Sequence, residues 1–457
     1  MKINKIYYKI IAIFVIFIFA AFHFSRLHKK PNIILIIIDC LRADHLGCYG
    51  YLRNTSPNID KFAQGGVLFN NTFSQGAFTF ASLPSILTSK IPLSHGVWYL
   101  SRGHMLSDEE VTLAEILKGK GYVTAAFTGG AFTSQIFGFS QGFDIYKEVN
   151  WGDIKDINRL ALNWLETEKK KPFFVLMHCY TVHDPFSPPE PFNKMYAGSY
   201  RGRFKDKILD NILFDKLSKY AVKEKIPWDQ EDLDYIISQY DGEIRYCDFH
   251  TGDFLTKIKK LGLDSDTIII LTSDHGEDLM EHGTISHGDV YDVGTRIPLI
   301  LKNPHLLPKN KKVDTLAGSI DILPTILDIC GIPLKQDTQG ISLLPFILGK
   351  EEEKERFIFS LGVAGFSGEC IRMSIRNRDR KLIFSHIIGG NNTYEFYNLK
   401  EDPGELNNLA SVEKEQFALF EQKLHAFLKQ SKPPTVKSKL ILDEKTKERL
   451  RSLGYVQ

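Results

Sequence analysis

The sequence predicts an α/β protein built on a mixed, mostly parallel, doubly wound sheet, with a small C-terminal α+β subdomain. Short apolar runs rich in β-branched residues recur along the chain, and such runs are typical of strands buried on both faces of a parallel sheet. Amphipathic helical stretches separate these runs, and this alternation favours a doubly wound sheet. After residue 350 the strands become short and closely spaced, which predicts a mostly antiparallel sheet there.

The elements follow in chain order. Residues 32–38 (NIILIII) are predicted to form the first strand, because the run is near-continuously β-branched and apolar after Asn32. The segment 190–230 is charged and aromatic with weak periodicity, which predicts an insertion or a long loop with some helix. These elements divide the chain into an N-terminal segment at 1–30, a main domain at 31–350 and a subdomain at 351–457. Further strands are predicted at 173–177, 267–271, 298–301, 357–361, 371–376, 381–386 and 394–399, and helices at 113–120, 154–169, 232–261, 320–330 and 413–428.

The composition indicates a large folded chain without a polyanionic partner. Hydrophobic residues make up 43% and charged residues 25%, which excludes a disordered or collagen-like chain. The 57 Lys and Arg residues nearly balance the 55 Asp and Glu residues, so no strong field favours nucleic acid as a partner. The six cysteines include no C-x-x-C pair and no zinc-finger spacing, which argues against a metal site built of thiolates.

The N-terminus has the pattern of a membrane-targeting segment. Lys2, Lys5 and Lys9 flank an uncharged run at 10–22, and extending that run toward Lys5 approaches the ~20 residues that a bilayer core requires. The segment continues with aromatic residues where a cleavage site would need small ones, so we expect an uncleaved single-pass anchor within 1–30 and an extracytoplasmic body. A cleaved signal, with a secreted or periplasmic protein, and a buried core helix are the alternatives.

Three side chains that suit a divalent cation follow predicted strands. Asp39 ends the strand at 32–38, and the strand at 267–271 leads into Asp274 and His275. Ligands bind at the carboxyl ends of strands in an open α/β sheet, so we expect the three side chains to converge, with Asp39 exposed to the crevice. Two carboxylates and one imidazole suit Ca²⁺, Mg²⁺ or Mn²⁺. Taken singly, they could also be a helix cap, a turn residue and a core histidine.

A series of ordered motifs resembles the sulfatase family of the alkaline phosphatase superfamily. Residues 36–50 (IIIDCLRADHLGCYG) are similar to that family's opening motif, and SDHGE at 273–277 follows in the family's order. The resemblance covers about residues 31–410 and implies an alkaline-phosphatase-like fold and a metal-dependent ester hydrolase. Further similar motifs lie at 56–60 (SPNID), 141–144 (QGFD), 183–186 (HDPF), 240–244 (YDGEI), 296–299 (RIPL) and 321–325 (DILPT).

The resemblance places Thr79 at the nucleophile position. Sulfatases oxidise a Cys or Ser in a C/S-x-P/A-x-R motif to formylglycine, whereas matching 87–89 (LTS) to the family's L-T-G puts Thr79 and Leu83 at the Cys/Ser and Arg positions. Threonine cannot become formylglycine, but its hydroxyl can attack when a bound divalent ion lowers its pKa. A second register would make Ser82 the nucleophile. The resemblance implies one divalent ion held by Asp39, Thr79, Asp274 and His275.

Two further departures concern the ester. Cys40 stands where many sulfatases have a second metal-binding Asp, and 128–132 (TGGAF) replaces a G-K-x-H segment that supplies Lys and His. An aldehyde hydrate can expel sulfate by elimination, whereas a sulfated threonine must be hydrolysed by water without that assistance. A Thr nucleophile therefore suits phosphoryl transfer better, and the resemblance leaves sulfate and phosphate esters both open.

The resemblance also places His183 and His287 near the substrate. We expect them to contact the non-bridging and leaving oxygens, with one of them protonating the leaving group. Each could instead be a hydrogen-bonded loop residue. Arg42 is a weaker candidate anion contact whose alternative is an ion pair with Asp44, and His282 is expected to support the site from outside.

These observations predict a membrane-anchored hydrolase with one divalent metal ion, which cleaves a sulfate or phosphate ester of a small molecule, a glycan or a lipid headgroup. One alternative is a phosphotransferase of the phosphoethanolamine or glycerophosphate type. Another is an inactive sulfatase-like binding protein, although the retained nucleophile, metal and histidine positions argue against it.

Overall fold

The computed structural model describes residues 30–431 apart from 99–103, 170, 336, 352–353, 365–369 and most of 206–228, and it also describes residues 444, 447, 448 and 450. Within these residues, nine strands form a central sheet and four strands form a second, antiparallel sheet. The strands are β1 (Asn32–Ile38), β2 (Val67–Phe73), β3 (Val123–Thr128), β4 (Ile145–Glu148), β5 (Phe173–Cys179), β6 (Thr267–Thr272), β7 (Asp278–Leu279), β8 (Ile285–Ser286), β9 (Arg296–Lys302), β10 (Lys311–Val313), β11 (Ala317–Gly318), β12 (Ile358–Ala364), β13 (Cys370–Arg376), β14 (Arg380–Ile387) and β15 (Thr393–Asn398). The helices are α1 (Pro57–Gln64), α2 (Thr79–Thr88), α3 (Pro92–His95), α4 (Leu113–Gly119), α5 (Ile154–Glu168), α6 (Phe192–Met195), α7 (Gln230–Lys260), α8 (Asp292–Thr295), α9 (Ile322–Ile329), α10 (Leu344–Ile347) and α11 (Lys414–Gln430).

The central sheet places β1 between two parallel neighbours. Its order is β10-β2-β9-β6-β1-β5-β3-β4, with β11 also paired to β2. Strand β9 runs antiparallel to both β6 and β2, whereas the other pairs in this sheet are parallel. Ile37 pairs with His178 of β5 and with Thr272 of β6, so the carboxyl ends of three strands lie side by side. This is the edge at which an open α/β sheet binds ligands.

Strand β1 is buried on both faces, as predicted for 32–38. Its side chains at 33, 35 and 37 join one apolar core, and those at 34, 36 and 38 join the core on the opposite face. Full burial of such an aliphatic side chain stabilises the fold by roughly 1.5–3 kcal/mol. A strand that is buried on both faces therefore carries successive apolar residues instead of alternating apolar and polar ones. Strands β5 and β6 extend slightly beyond their predicted ends because both keep pairing with β1 as far as Cys179 and Thr272.

The C-terminal strands form a separate antiparallel sheet, β12-β13-β14-β15. Helix α11 packs on it through Phe420, which shares an apolar cluster with Phe359, Leu382 and Phe396. The predicted fold class, a mostly parallel α/β sheet with a small C-terminal α+β subdomain, is confirmed. The domain limits at 350 and 351 stay a prediction.

The predicted insertion at 190–230 lies partly outside the described residues. Its described part contains the short helix α6, and helix α7 begins at Gln230. The prediction for the rest of the segment stays open.

The predicted membrane anchor is corrected by the structure. Residues 1–29 lie outside the part of the chain that the structure describes. In the part it does describe, no helix combines the length and the apolar character that crossing a bilayer demands. Even α7, with 31 residues, carries charged side chains along its length. The prediction of a single-pass anchor is therefore not supported.

Candidate active site

Three buried polar side chains meet where β1, β5 and β6 end. Asp39 follows β1, His178 lies near the end of β5, and Asp274 follows β6 after one residue. His178 Nε2 is 3.3 Å from Asp274 Oδ2 and 3.4 Å from Asp39 Oδ2. All three side chains are fully buried, so the expectation that Asp39 is exposed to the crevice is wrong.

Helix α2 brings Thr79 to the same point. Thr79 is the first residue of this helix, and its Oγ1 donates a hydrogen bond to Asp39 Oδ2 at 3.0 Å. The same hydroxyl lies 3.3 Å from His275 Nε2. All ten residues of α2 are buried, so the position of this hydroxyl is determined by the packing of the whole helix.

The donor set fits a divalent cation. Asp39 Oδ1 is buried without a hydrogen-bond partner, and it lies 3.3 Å from His275 Nε2. Burial and the nearby Asp274 carboxylate raise the pKa of Asp39 well above its ordinary value. Burial opposes ionisation of Asp274 as well, but the His275 and His178 imidazoles lower its pKa below the usual range. A cation between these carboxylates would offset both the unpaired oxygen and the repulsion.

The orientation of His275 also suits a metal ligand. Its Nδ1 donates to the carbonyl of Gly276 at 2.9 Å, so Nε2 carries the lone pair and faces Asp39 and Thr79. Metal-binding histidines commonly donate their second ring N–H to a carbonyl in this way. Burial lowers the pKa of His275 to about 4, which keeps the ring in the neutral form that binds a metal.

Backbone contacts hold the loop after β6 in place. The Ser273 hydroxyl accepts from Leu41 N at 3.0 Å and donates to the carbonyl of Ile38 at 2.6 Å, which ties the loop to the end of β1. On its other side, Gly276 N and Glu277 N donate to the carbonyls of Gly294 and Val293 in α8, at 2.9 and 3.1 Å. The positions of Asp274 and His275 are thus fixed from two directions.

The predicted substrate histidines lie beside this cluster. The ring centroids of His183 and His287 are 4.8 Å apart, and the His287 ring is 4.9 Å from that of His275. Burial and the neighbouring His183 lower the pKa of His287 to about 3. His287 is therefore neutral at pH 7 and can donate an N–H hydrogen bond, but it holds no extra proton to transfer.

Three other candidate residues lie elsewhere. Ser82 Oγ donates to the carbonyl of Thr79 at 3.3 Å within α2. Arg42 pairs with Asp44 and Glu281 at 2.7 and 2.6 Å, which confirms its predicted structural alternative. His282 stacks on a tyrosine ring at 3.5 Å. None of these contacts is with the Asp39 and Asp274 carboxylates.

The sequence reasoning did not place His178 or Glu277 beside the predicted ligands; it grouped His178 with the substrate motif at 183–186 and noted Cys40 only as a departure at a metal-binding position of the family. His178 could have been found, because it lies near the end of a predicted buried strand, as Asp39 does. Cys40 and Glu277 each follow a predicted ligand closely, but their partners come from other loops. Cys40 Sγ and Glu277 Oε2 lie 4.0 and 3.4 Å from His287 Nδ1.

Comparison with known proteins identifies the family. The profile described as Sulfatase matches residues 31–332, and the profile described as N-sulphoglucosamine sulphohydrolase, C-terminal, matches residues 280–433. The chain belongs to the sulfatase family, and it is an ester hydrolase of the sulfatase type. The alternative of an inactive binding protein is not supported.

Individual relatives match most of the chain. It is 26% identical to an N-acetylglucosamine-6-O-sulfatase of Bacteroides thetaiotaomicron, over 86% of this chain and 86% of the relative. It is 30% identical to an iduronate 2-sulfatase of Mus musculus, over 66% of this chain and 69% of the relative. The crystal structure of a phosphonate monoester hydrolase of Agrobacterium radiobacter has the same fold, with a TM-score of 0.71, 23% identity and coverage of 88% of this chain and 96% of that one.

Proposed function

We propose that this protein is a metal-dependent hydrolase that uses Thr79 as its nucleophile to cleave a sulfate or phosphate ester. The observation that carries the proposal is the position of Thr79 Oγ1, which lies 3.0 Å from Asp39 Oδ2 and 3.3 Å from His275 Nε2. Asp39, Thr79, Asp274 and His275 would hold one divalent ion. When bound, that ion stabilises the negative charge of the nucleophile and aligns it with the ester.

The first chemical step is an in-line attack by Thr79 Oγ. A bond forms from Oγ to the phosphorus or sulfur, the bond to the leaving oxygen breaks, and the hydroxyl proton passes to Asp39 Oδ2, which already accepts it. The leaving oxygen departs as an alkoxide, which takes a proton from solvent. Water then attacks the same atom, Asp39 returns its proton to Thr79 Oγ, and the proton that the water releases goes to solvent. The net reaction is ester plus water giving an alcohol and phosphate or sulfate.

His183 and His287 would stabilise the ester oxygens. Their rings lie together beside His275, so an ester oxygen that faces Thr79 is within reach of both. Because the pKa of His287 is about 3, its ring would stabilise the leaving oxygen as a hydrogen-bond donor and not as an imidazolium acid. That one of the two histidines protonates the leaving group stays a prediction.

The substrate is proposed to be a sulfated or phosphorylated small molecule or glycan. The relatives named for glucosamine and iduronate sulfates support a glycan sulfate. The threonine at the nucleophile position favours a phosphate ester, because an enzyme-bound phosphothreonine can be resolved by attack of water or an acceptor alcohol at phosphorus, whereas a sulfothreonine lacks the elimination route of formylglycine. The same threonine supports a second candidate, in which an acceptor alcohol replaces water and the enzyme is a phosphotransferase.

Mass spectrometry of the trapped enzyme tests the proposal. The purified full-length protein would be exposed briefly to aryl sulfates, phosphate monoesters and phosphodiesters with added Mn²⁺, Mg²⁺ or Ca²⁺, then quenched with acid. We expect one adduct on the peptide that contains Thr79, and its exact mass distinguishes a phosphoryl from a sulfuryl group. Thr79→Ala should lose the adduct and lower kcat by about 10⁴-fold or more.

Ser82→Ala is the matched control, because Ser82 lies one helical turn from Thr79 and is equally buried. It should keep the adduct and most of the turnover. An adduct that moves to Ser82, or turnover that persists in Thr79→Ala, would refute the assignment of the nucleophile. Product release that depends on an added alcohol would identify the transferase.

A further inference from the structure

An exposed tryptophan lies beside the active site. Trp151 belongs to the turn at 150–152, which follows β4 at the carboxyl edge of the central sheet. Its side chain is 59% exposed, and within the described residues the indole has no ring or hydrogen-bond partner. Single exposed apolar side chains are ordinary on protein surfaces, so exposure alone does not indicate a function.

The backbone at Trp151 is unusual as well. With φ of 64° and ψ of −4°, Trp151 adopts a left-handed conformation that is a genuine outlier for so bulky a residue. Gly152, next along the chain, also has a positive φ, and a Cβ there would lie 2.7 Å from Gly129 Cα. Tyr180 N donates to the carbonyl of Gly152 at 3.0 Å. The packing around the turn thus holds Trp151 in this conformation, and such outliers cluster at ligand-binding sites.

The contacts of the turn lead to the predicted substrate histidine His183. The ring centroid of Tyr180 is 5.0 Å from that of His178 and 5.7 Å from that of His183. His183 N also donates to the carbonyl of Tyr180 at 3.0 Å. The path from His178 through Tyr180 to the turn consists of Cα steps of about 7, 5 and 4 Å, so Trp151 lies at most about 16 Å from His178. The indole is therefore within reach of an extended substrate bound at the active site.

The loop beside the turn offers no charged side chain to a ligand. Residues 128–132 (TGGAF) follow β3 and are all uncharged. The Tyr180 hydroxyl donates to the carbonyl of Gly130 at 3.1 Å, so this loop, the turn at 150–152 and Tyr180 form one surface, here called the rim. The indole adds to the rim a flat apolar face whose π-system is electron-rich. Recognition at the rim would therefore depend on stacking and not on ion pairing.

We propose that Trp151 is a substrate-binding residue on which a pyranose ring of a glycan ester stacks. The inference rests on the proposed function, because the stacked sugar belongs to the alcohol whose ester Thr79 attacks. A pyranose presents a face of C–H groups and carries its hydroxyls at the periphery, so it can lie on an aromatic ring while the hydroxyls stay in water. The electron-rich indole attracts the C–H groups, and covering both apolar faces adds a hydrophobic contribution.

Steady-state kinetics of the full-length protein with two kinds of ester tests the proposal. p-Nitrophenyl sulfate and phosphate carry one ring directly on the ester, whereas the sulfate and phosphate monoesters of chitobiose, built from the sugar named for one relative, extend further toward the rim. Trp151→Ala should lower the ratio of kcat/KM for the disaccharide ester to that for the aryl ester by about 10-fold, mainly through KM. Trp151→Phe keeps an aromatic face and should recover most of the ratio.

Acrylamide quenching of tryptophan fluorescence measures binding without turnover. In chelator, the chitobiose ester should shield part of the fluorescence of the wild-type protein from acrylamide. The shielded part should be absent from Trp151→Phe, so the difference between the two proteins isolates the signal of Trp151. A wild-type signal that the disaccharide ester does not shield would overturn the proposal.

Leu419→Ala is the matched control, because Leu419 is an exposed apolar residue on α11 of the C-terminal subdomain. It should leave the ratio of the two kcat/KM values unchanged. An equal fall for both esters in Trp151→Ala would indicate a structural role and overturn the proposal. Shielding of Trp151 without an adduct on Thr79 would refute only the nucleophile, whereas an adduct on Thr79 with a ratio independent of Trp151 would refute only the stacking.

Discussion

At the scale of single residues, Asp39 and Asp274 form a buried carboxyl pair that a bound cation would stabilise. Asp39 Oδ1 has no hydrogen-bond partner, and burial with the Asp274 charge raises the pKa of Asp39. A buried carboxylate without a partner costs free energy, so the metal-free protein carries a penalty that metal binding removes. The site is thus expected to weaken the fold until an ion binds.

Asp39→Asn should separate the free-energy cost of the buried carboxylate from the stabilisation that a bound ion would provide. In a chelator the variant should unfold at the same temperature as the wild type or above it, because one of the two carboxyls is gone. Added Ca²⁺ or Mn²⁺ should stabilise the wild type, by about 2.7 kcal/mol when the free ion is at about 100 times its Kd, and should leave the variant unchanged. Differential scanning fluorimetry with and without the ion measures both quantities.

The control for this experiment is Asp156→Asn, which removes an exposed carboxylate paired with Arg159. It should change neither the melting temperature in chelator nor the response to metal. A clear loss of stability of Asp39→Asn in chelator would mean that the Asp39 carboxylate is stabilised by the protein itself and does not await a cation.

The positions of Asp39, Asp274 and His275 could be predicted because each follows a strand, whereas Thr79 begins helix α2 and was placed by the family resemblance. Asp39 and Asp274 come directly after or one residue beyond buried strands, and parallel strand ends meet at one edge. Cys40 and Glu277 could not be placed beside His287 from sequence, since their contacts come through loops whose path follows from tertiary packing.

At the scale of elements, a buried histidine joins α3 to α2. Val97 N donates to His95 Nδ1 at 3.1 Å, so that nitrogen is unprotonated, and His95 Nε2 lies 2.9 Å from Ser85 Oγ. Ser85 in turn donates to the carbonyl of Ala81 at 2.9 Å. The helix that begins with Thr79 is therefore held by a neutral imidazole.

This contact predicts a loss of stability in acid. Burial lowers the pKa of His95 to about 3 from an ordinary value of 6.5. Between these values the unfolded chain binds a proton that the folded protein excludes, so the free energy of unfolding falls as the pH is lowered, by up to about 1.4 kcal/mol per pH unit. Chemical unfolding of the wild type and His95→Gln at pH 7 and pH 5 measures the difference, which should shrink as the pH falls.

His425→Gln provides the comparison, because the His425 side chain is 57% exposed on α11. Its stability should follow that of the wild type at both pH values. Parallel pH dependence of the wild type and His95→Gln would show that His95 accepts a proton in the folded state, in conflict with its hydrogen bonds.

The elements themselves were largely predictable where the hydrophobic pattern was strong. Strand β1 matches its predicted limits, while helix α9 begins two residues later than predicted because 319–321 form a tight turn. That turn is set by Gln75, whose Oε1 accepts from Ser319 Oγ and Ile320 N. Because Gln75 lies far from 319–321 in the sequence, this contact produces no local sequence pattern from which the turn could be predicted.

At the scale of the whole molecule, the C-terminal sheet supports the active-site loop through buried charges. Lys381 of β14 is fully buried, and its Nζ lies 2.8 Å from Asp292 Oδ1 and 2.8 Å from Glu405 Oε1. Asp292 begins α8, whose carbonyls accept the N–H groups of Gly276 and Glu277. The antiparallel sheet is therefore coupled to the loop that carries Asp274, although the two are far apart in sequence.

Lys381→Met should be among the most damaging single substitutions outside the site. It leaves the buried Glu405 without its Lys381 partner, whereas Asp292 keeps Arg376 at 2.7 Å, and breaking a buried ion pair in this way costs about 3–5 kcal/mol. The matched control is Lys400→Met, because Lys400 pairs with Asp379 at 2.9 Å with side chains 67% and 39% exposed, and such a pair contributes about 0–1 kcal/mol. Urea unfolding measures the loss of unfolding free energy in each variant. The metal affinity of the folded protein should fall only in Lys381→Met, because only that variant removes a contact that holds α8. Equal losses in the two variants would mean that the buried charges stabilise neither the interface nor the loop.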